Sequence, residues 1–317
     1  MINNKGEIFI VGVGRSGTSL LQSMLASHSE LSFLPETAYI RNFIVKSKLK
    51  KILSKKNIEN ALKVITEDKT LSRIDFDFKK CLSNNKDNID LYCYKEMQYK
   101  AMKSSGKSRY GDKDPRLIEY IPTIRHYFPE SYVVNIVRDP RDILVSKKKA
   151  AWSAGRSTIL YTFANRVQLR MARLLGKKLF GERYIEVIYE ELIKHPEKQL
   201  KILCSKLNLK YEGKLLQFEN QAKKLVSEAE LGWKKETLGP LLVNNTNKWK
   251  NKLNKYEIAL TEKCCNDAFS IGCYKKSQVF KTLPFLLKMK TNFSHMLILV
   301  LAPIYCFFRV LNQKKYI

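Results

Sequence analysis

Residues 7–19 read EIFIVGVGRSGTS, an apolar run that ends in a glycine-rich turn. A continuous apolar run of this kind is a strand buried on both faces, as parallel sheets require. Beyond the turn, Leu20, Leu21, Met24 and Leu25 recur at helical spacing. The turn therefore joins a buried strand to a helix, which restricts the chain to an α/β fold around a parallel sheet. Residues 131–137 (SYVVNIV) and 183–188 (RYIEVI) read as further strands. Residues 41–66, 90–102, 115–128, 139–151, 158–179, 196–207 and 256–269 read as helices, the third of them starting at Pro115, a favoured first-turn residue. Residues 210–255 show no period, and Gly239-Pro240 and residues 244–247 mark loops. With 317 residues, 44% of them hydrophobic, the chain can bury one elaborated α/β core.

The turn carries chemistry. Gly14 and Gly17 let the backbone bring amide N–H groups up to an anion, and the next helix adds its positive N-terminal end. Arg15, Ser16, Thr18 and Ser19 add side-chain donors. Three readings fit residues 12–19. The spacing is that of a nucleotide-triphosphate P-loop, except that Thr18 stands where the lysine belongs. It is also that of a dinucleotide fingerprint, with Glu36 about 20 residues onward. The third reading is a phosphosulfate loop.

A second anion site is expected after the strand at 131–137. Arg138 lies at the carboxyl edge of the sheet, where open α/β sheets bind ligands, and Ser146 lies about two turns into the next helix. The alternative is that Arg138 pairs with Asp139 or Asp142 and only caps that helix. Two separated anion clamps suit a nucleoside that is anionic at both ends.

IFIVGVGRSGTSLLQSML resembles the 5′-phosphosulfate loop of sulfotransferases that use 3′-phosphoadenosine 5′-phosphosulfate (PAPS), and YVVNIVRDPRDILVS resembles their 3′-phosphate motif. The likeness covers roughly residues 7–250 and is greatest to the protein-tyrosine sulfotransferase branch and its bacterial relatives. It implies a P-loop-like sheet of about five parallel strands flanked by helices on both faces. It implies sulfuryl transfer from PAPS to a hydroxyl, without metal, leaving adenosine 3′,5′-bisphosphate. Glu36, in LPET, matches the family's catalytic base. A carboxylate there makes sense, because an alcohol or phenol attacks well only when its proton is taken. Lys113, in GDKDP, and Arg15 match the cations that meet charge developing on the transferred group. Gly14, Arg15, Ser16, Gly17, Thr18, Ser19, Arg138, Ser146, Tyr189 and Lys248 match cofactor-binding positions. The spacing before Lys248 is two residues shorter than the family pattern, and Thr237 is the candidate for a serine expected upstream of it. The closing segment 232–250 thus departs from the family.

The formal charge is +28, from 58 basic and 30 acidic residues, and favours anionic partners. No nucleic-acid-binding motif accompanies it, so nucleic acid is not an expected partner. The expected acceptor is a saccharide, a glycolipid or a peptidyl tyrosine, with an anionic membrane surface as a further partner. Two rival readings are a P-loop small-molecule kinase using ATP and a non-catalytic basic module on membrane or glycan. The kinase lacks its lysine and magnesium carboxylate, and the module leaves the two anion motifs unexplained.

Seven cysteines, with no CxxC pair, suggest no disulfide framework and a reduced, cytoplasmic setting. The polar start, residues 1–7, suggests neither a secretory signal nor an N-terminal anchor. Four scattered histidines suggest no metal site. Residues 296–308 (MLILVLAPIYCFF) are uncharged, contain Pro303, and are flanked by Lys288, Lys290, Arg309, Lys314 and Lys315. They fall short of the about 20 residues of a bilayer span. The expected organisation is a catalytic domain, 1–275, and a basic-flanked tail, 276–317. That tail is either a buried terminal helix or a membrane-surface anchor that makes the enzyme peripheral to the membrane.

Overall fold

The computed structural model describes residues 6–54, 57–84, 87–150, 153 and 155–313, the side chains of residues 229 and 233 excepted. Residues 1–5 of the polar start, Ala151, Lys314 and Lys315 lie outside the described residues. Five parallel strands form one sheet: β1 (Ile8–Gly12), β2 (Leu31–Phe33), β3 (Arg109–Lys113), β4 (Tyr132–Val137) and β5 (Tyr184–Ile188), in the order β2-β3-β1-β4-β5. β1 is central, with Ile8 opposite both Gly111 of β3 and Tyr132 of β4. Among the helices are α1 (Thr18–Ala26), α2 (Ile89–Ser104), α3 (Pro140–Lys149), α4 (Thr158–Phe180), α5 (Pro196–Lys206), α6 (Lys255–Cys264), α7 (Asn266–Gly272) and α8 (Phe285–Leu311).

Successive strand residues point to opposite faces. Phe9, Val11, Val133 and Val137 enter one core, shared with α2, α4, α6 and α7. Ile8, Ile10, Val134 and Ile136 enter the other, under α1 and α5. The sheet is covered on both faces, which is why β1 and β4 read as unbroken apolar runs. The strand order also removes the dinucleotide reading. That fold sets its second strand beside the first, whereas here β3 lies between β2 and β1.

β3 is a strand that its sequence, RYGDK, conceals. Its charged side chains are buried on specific partners: Arg109 donates to the Leu207 carbonyl (2.7 Å), and Asp112 accepts from the Tyr94 hydroxyl (3.0 Å). Gly111 permits the close approach of β2, since a Cβ there would lie 2.4 Å from the Phe33 ring.

Several expected helices are broken. The stretch 41–66 divides at Ser47, whose φ is +48°, and again before Ile58–Thr66. The stretch 115–128 is a 3₁₀ turn, Pro115–Glu119, followed by a new helix, Ile121–Tyr127, because Pro122 has no N–H to continue the first. The last helix divides at Cys265 into α6 and α7. Residues 210–255 hold only short helical turns.

The cysteine expectation is corrected as well. Cys81 and Cys93 form a disulfide with Cα atoms 5.9 Å apart. The short helix Phe78–Leu82 packs on α2 and brings the two together, a tertiary contact that spacing does not announce. The uncharged tail segment is part of a longer helix, α8, which runs through Pro303 and packs along α4 and α6.

Candidate active site

β1 ends at Gly12 and α1 begins at Thr18, so residues 13–17 make the turn. Arg15 and Gly17 both have positive φ, 79° and 105°. Gly17 is required twice over, because a Cβ there would also lie 2.4 Å from the Tyr189 ring. No side chain caps the start of α1, so its first N–H groups are left for a ligand. The Ser16 hydroxyl is buried without a protein partner.

Arg138 follows β4 and does not cap α3. Asp139 does, accepting from the Arg141 N–H (2.9 Å) and pairing with the Arg141 guanidinium. Asp142 accepts instead from the backbone of Asn247 (2.7 Å) and Trp249 (3.0 Å). Arg138 donates to the carbonyls of Arg15 (3.2 Å) and Asn245 (2.8 Å), and its guanidinium lies 4.2 Å over the Tyr189 ring. Its Nε is buried and unpartnered. From the other side, Arg15 Nε donates to Ser146 Oγ (2.9 Å). The two anion motifs are therefore hydrogen-bonded to each other. Asn245 ties the closing segment to this junction, donating to the Tyr189 hydroxyl (2.9 Å) and to Glu236 (3.2 Å), and Lys248 lies 3.3 Å from Glu236.

At the end of β3, Lys113 pairs with Glu36 and lies 3.5 Å from Ser19 Oγ. Lys234, from the closing segment, lies 3.5 Å from the same carboxylate and pairs with Glu230. Both ammoniums are buried. Burial alone would raise the Glu36 carboxyl, but Lys113 and Lys234 outweigh it and hold it down at about 2. Burial would lower Lys113, yet Glu36 keeps it above its usual value. Lys234 is lowered, by burial and then by the Lys113 charge, against the pull of Glu36 and Glu230. Arg41 pairs with Asp114 beside this cluster.

These groups surround a cavity of about 350 Å³, lined by Gly14, Arg15, Gly17, Thr18, Ser19, Glu36, Arg138, Tyr189 and Lys234, with Leu20, Phe218, Pro240, Leu241 and Leu242 as an apolar wall. That volume is in the range of small-molecule sites. An adjoining hollow of about 120 Å³ shares Arg15 and Arg138 and adds Ser146 and Lys248. Of the residues singled out from the sequence, all but Ser16 and Lys113 line one of these two spaces, and Lys113 lies behind Glu36, which does. Lys234, Asn245, Arg41 and Glu230 were not foreseen. Lys234 is one of many lysines in a stretch without period, and no spacing marks it. Thr237 lines the cavity, whereas Lys234, three residues earlier, reaches Glu36.

Fold and site together define an α/β protein with a P-loop-like turn that opens on a cavity lined by Arg15, Arg41, Arg116, Arg138 and Lys234. The sequence pattern described as "Sulfotransferase family" matches residues 7–213, and the chain belongs to that family. It is similar to a protein of Aquifex aeolicus (strain VF5) described only as uncharacterized, at 26% identity over 270 residues, 81% of this chain and 32% of that protein. It is similar to protein-tyrosine sulfotransferase A of Caenorhabditis elegans, at 23% identity over 230 residues, 69% of this chain and 54% of that protein. The chain thus spans about a third and about half of the lengths of these two relatives. Among solved structures, the sulfotransferase domain from the curacin biosynthetic pathway superposes with a TM-score of 0.60 at 21% identity, over 85% of this chain and 98% of that domain.

Proposed function

We propose that this chain is a sulfotransferase that takes PAPS as donor and a hydroxyl as acceptor. The observation that carries the reading is the junction of Arg15 with Ser146 and of Arg138 with the Arg15 carbonyl, which joins two anion-binding motifs at one cavity. The residues suit such a donor: an uncapped helix start, a buried Ser16 hydroxyl and a buried Arg138 Nε all lack partners within the protein. When bound, PAPS supplies the sulfuryl group, and adenosine 3′,5′-bisphosphate is left. Gly14 to Ser19 hold the phosphosulfate end, Arg138 and Ser146 the 3′-phosphate, and Tyr189 and Lys248 the rest of the nucleotide.

Glu36 takes the acceptor proton. Lys113, Arg15 and Lys234 face the charge that develops on the transferred group and on the departing oxygen. A carboxyl at about 2 is a weak base. With an anion in the turn, Lys113 and Lys234 divide their charge between it and Glu36, so the carboxyl rises toward the working range of a base. The acceptor is a saccharide, a glycolipid or a peptidyl tyrosine. The wall of Phe218, Pro240, Leu241 and Leu242 favours one with an apolar body beside its hydroxyl.

Titration calorimetry tests the donor: adenosine 3′,5′-bisphosphate is expected to bind at micromolar concentration without magnesium. Magnesium-dependent ATP binding in its place would establish the kinase reading. Incubation of a saccharide, glycolipid and tyrosyl-peptide panel with labelled donor then identifies the acceptor.

A further inference from the structure

A helix on a globular surface turns its large apolar side chains inward, and α8 does the reverse. It buries Thr291, Ser294, Ile298 and Ala302, one narrow stripe of mostly small side chains. It points Leu286, Phe293, Met296 and Phe307 outward, each more than 60% exposed. At about 1.5 Å per residue the helix is about 40 Å long, and its exposed side chains run from Phe285 to Leu311. Soluble monomers rarely leave so extended an apolar face in water.

The helix is fastened flat on the body. Near its start Lys263 bonds Asn292, and the Tyr256 hydroxyl bonds Ser294 (3.0 Å). At its far end Tyr305 donates to the Glu119 carboxylate (2.8 Å), Gln313 to the Glu119 carbonyl (2.7 Å), and Arg309 pairs with Glu119 (3.1 Å). Crossing a bilayer would break all of these. Charge selects what covers the outer face. Residues 268–317 hold eight Lys and Arg and no Asp or Glu. A second copy would set like charges against each other, whereas an anionic bilayer takes up both the apolar side chains and the lysines.

We propose that α8 lies in the plane of an anionic membrane surface, its outer face sunk into the headgroup–acyl boundary. Glu119 belongs to the turn Pro115–Glu119, whose Pro115 and Arg116 line the cavity. Docking through α8 therefore holds the cavity at a fixed height over the lipid. The inference stands independently of the reaction proposed above, because its test reads binding and not turnover.

The full chain is sedimented with phosphatidylglycerol vesicles and with phosphatidylcholine vesicles. Preferential binding to the anionic vesicles is expected, and a Leu286→Gln/Phe293→Gln/Phe307→Gln variant should bind them at least tenfold more weakly while keeping its affinity for adenosine 3′,5′-bisphosphate. Should that variant misfold, Lys281→Gln and Lys290→Gln provide the second arm, each weakening anionic-vesicle binding about fivefold. Three results would overturn the proposal. One is equal or absent binding to the two vesicle types. Another is a dimer by light scattering that the triple variant splits, which assigns the face to a second copy. The third is resistance of the membrane-bound chain to carbonate extraction, which makes α8 a span.

Discussion

Lys113 beside the cavity is 1% exposed and lies against Glu36, while Phe285 and Leu286 on α8 are 73% and 77% exposed. One region buries charge and the other exposes apolar surface. Both are costly, and they are resolved differently. The charges around the cavity have partners within the protein: Glu36 between two ammoniums, Arg15 on the Ser146 hydroxyl, Arg138 on the Asn245 carbonyl. A ligand in the cavity must compete with these internal partners. Among the described residues the outer face of α8 stays exposed, and the membrane surface proposed above would cover it.

The largest effect should come from Glu36, the proposed base. Glu36→Gln is expected to lower turnover by about 10²- to 10⁴-fold while calorimetry shows bisphosphate binding changed little. Unaltered turnover would remove Glu36 from that role. Arg138→Ala loses charge-assisted hydrogen bonds to the ligand and should raise the bisphosphate Kd about 10- to 100-fold. A comparable loss from a substitution on α8 would erase the distinction between the two regions.

The ion cluster makes a pH prediction. The folded Glu36 carboxyl is held at about 2, below its unfolded value near 4.3. Its stabilising contribution is therefore complete above about pH 4.3 and is lost as pH falls toward 2, amounting to at most about 3 kcal/mol. Urea unfolding of the wild type and Glu36→Gln should show the variant less stable at neutral pH, with the gap closing in acid. Asp112, pushed up to about 7 by burial and then by Asp114, acts in the opposite sense in both proteins and cancels from the difference. A gap that is constant with pH would show that Glu36 is not held by the two lysines.

The smallest effect is the most discriminating. Ser16→Ala removes a buried hydroxyl that has no protein partner, so the free protein should lose no stability, within about 1 kcal/mol by thermal unfolding. Bisphosphate binding should still weaken severalfold. A clear loss of stability in the free protein would mean that the hydroxyl has an internal partner after all.

The parts of this chain legible in its sequence are those where local physics and function coincide. β1 and β4 show as apolar runs because both of their faces are buried, and the glycine turn shows because residue 17 must adopt a positive φ against the Tyr189 ring. Arg138, Ser146, Glu36 and Lys113 were identifiable from short motifs around them. β3 was not legible, since three of its five residues are charged and find their partners on distant elements. Neither was the Cys81–Cys93 pair, nor the joining of Lys234 to Glu36 across 198 residues.

By itself the sequence determined that a buried strand meets a helix through a glycine-rich turn, and that an arginine-bearing turn follows another strand. Backbone stereochemistry and periodicity act within a few residues and leave their mark there. Only the tertiary structure decided that both turns share one cavity, that Lys234 joins Lys113 on Glu36, and that α8 turns its large side chains away from the body. Those outcomes depend on which surfaces pack together, and partners brought together by packing across the chain carry no fixed spacing along it.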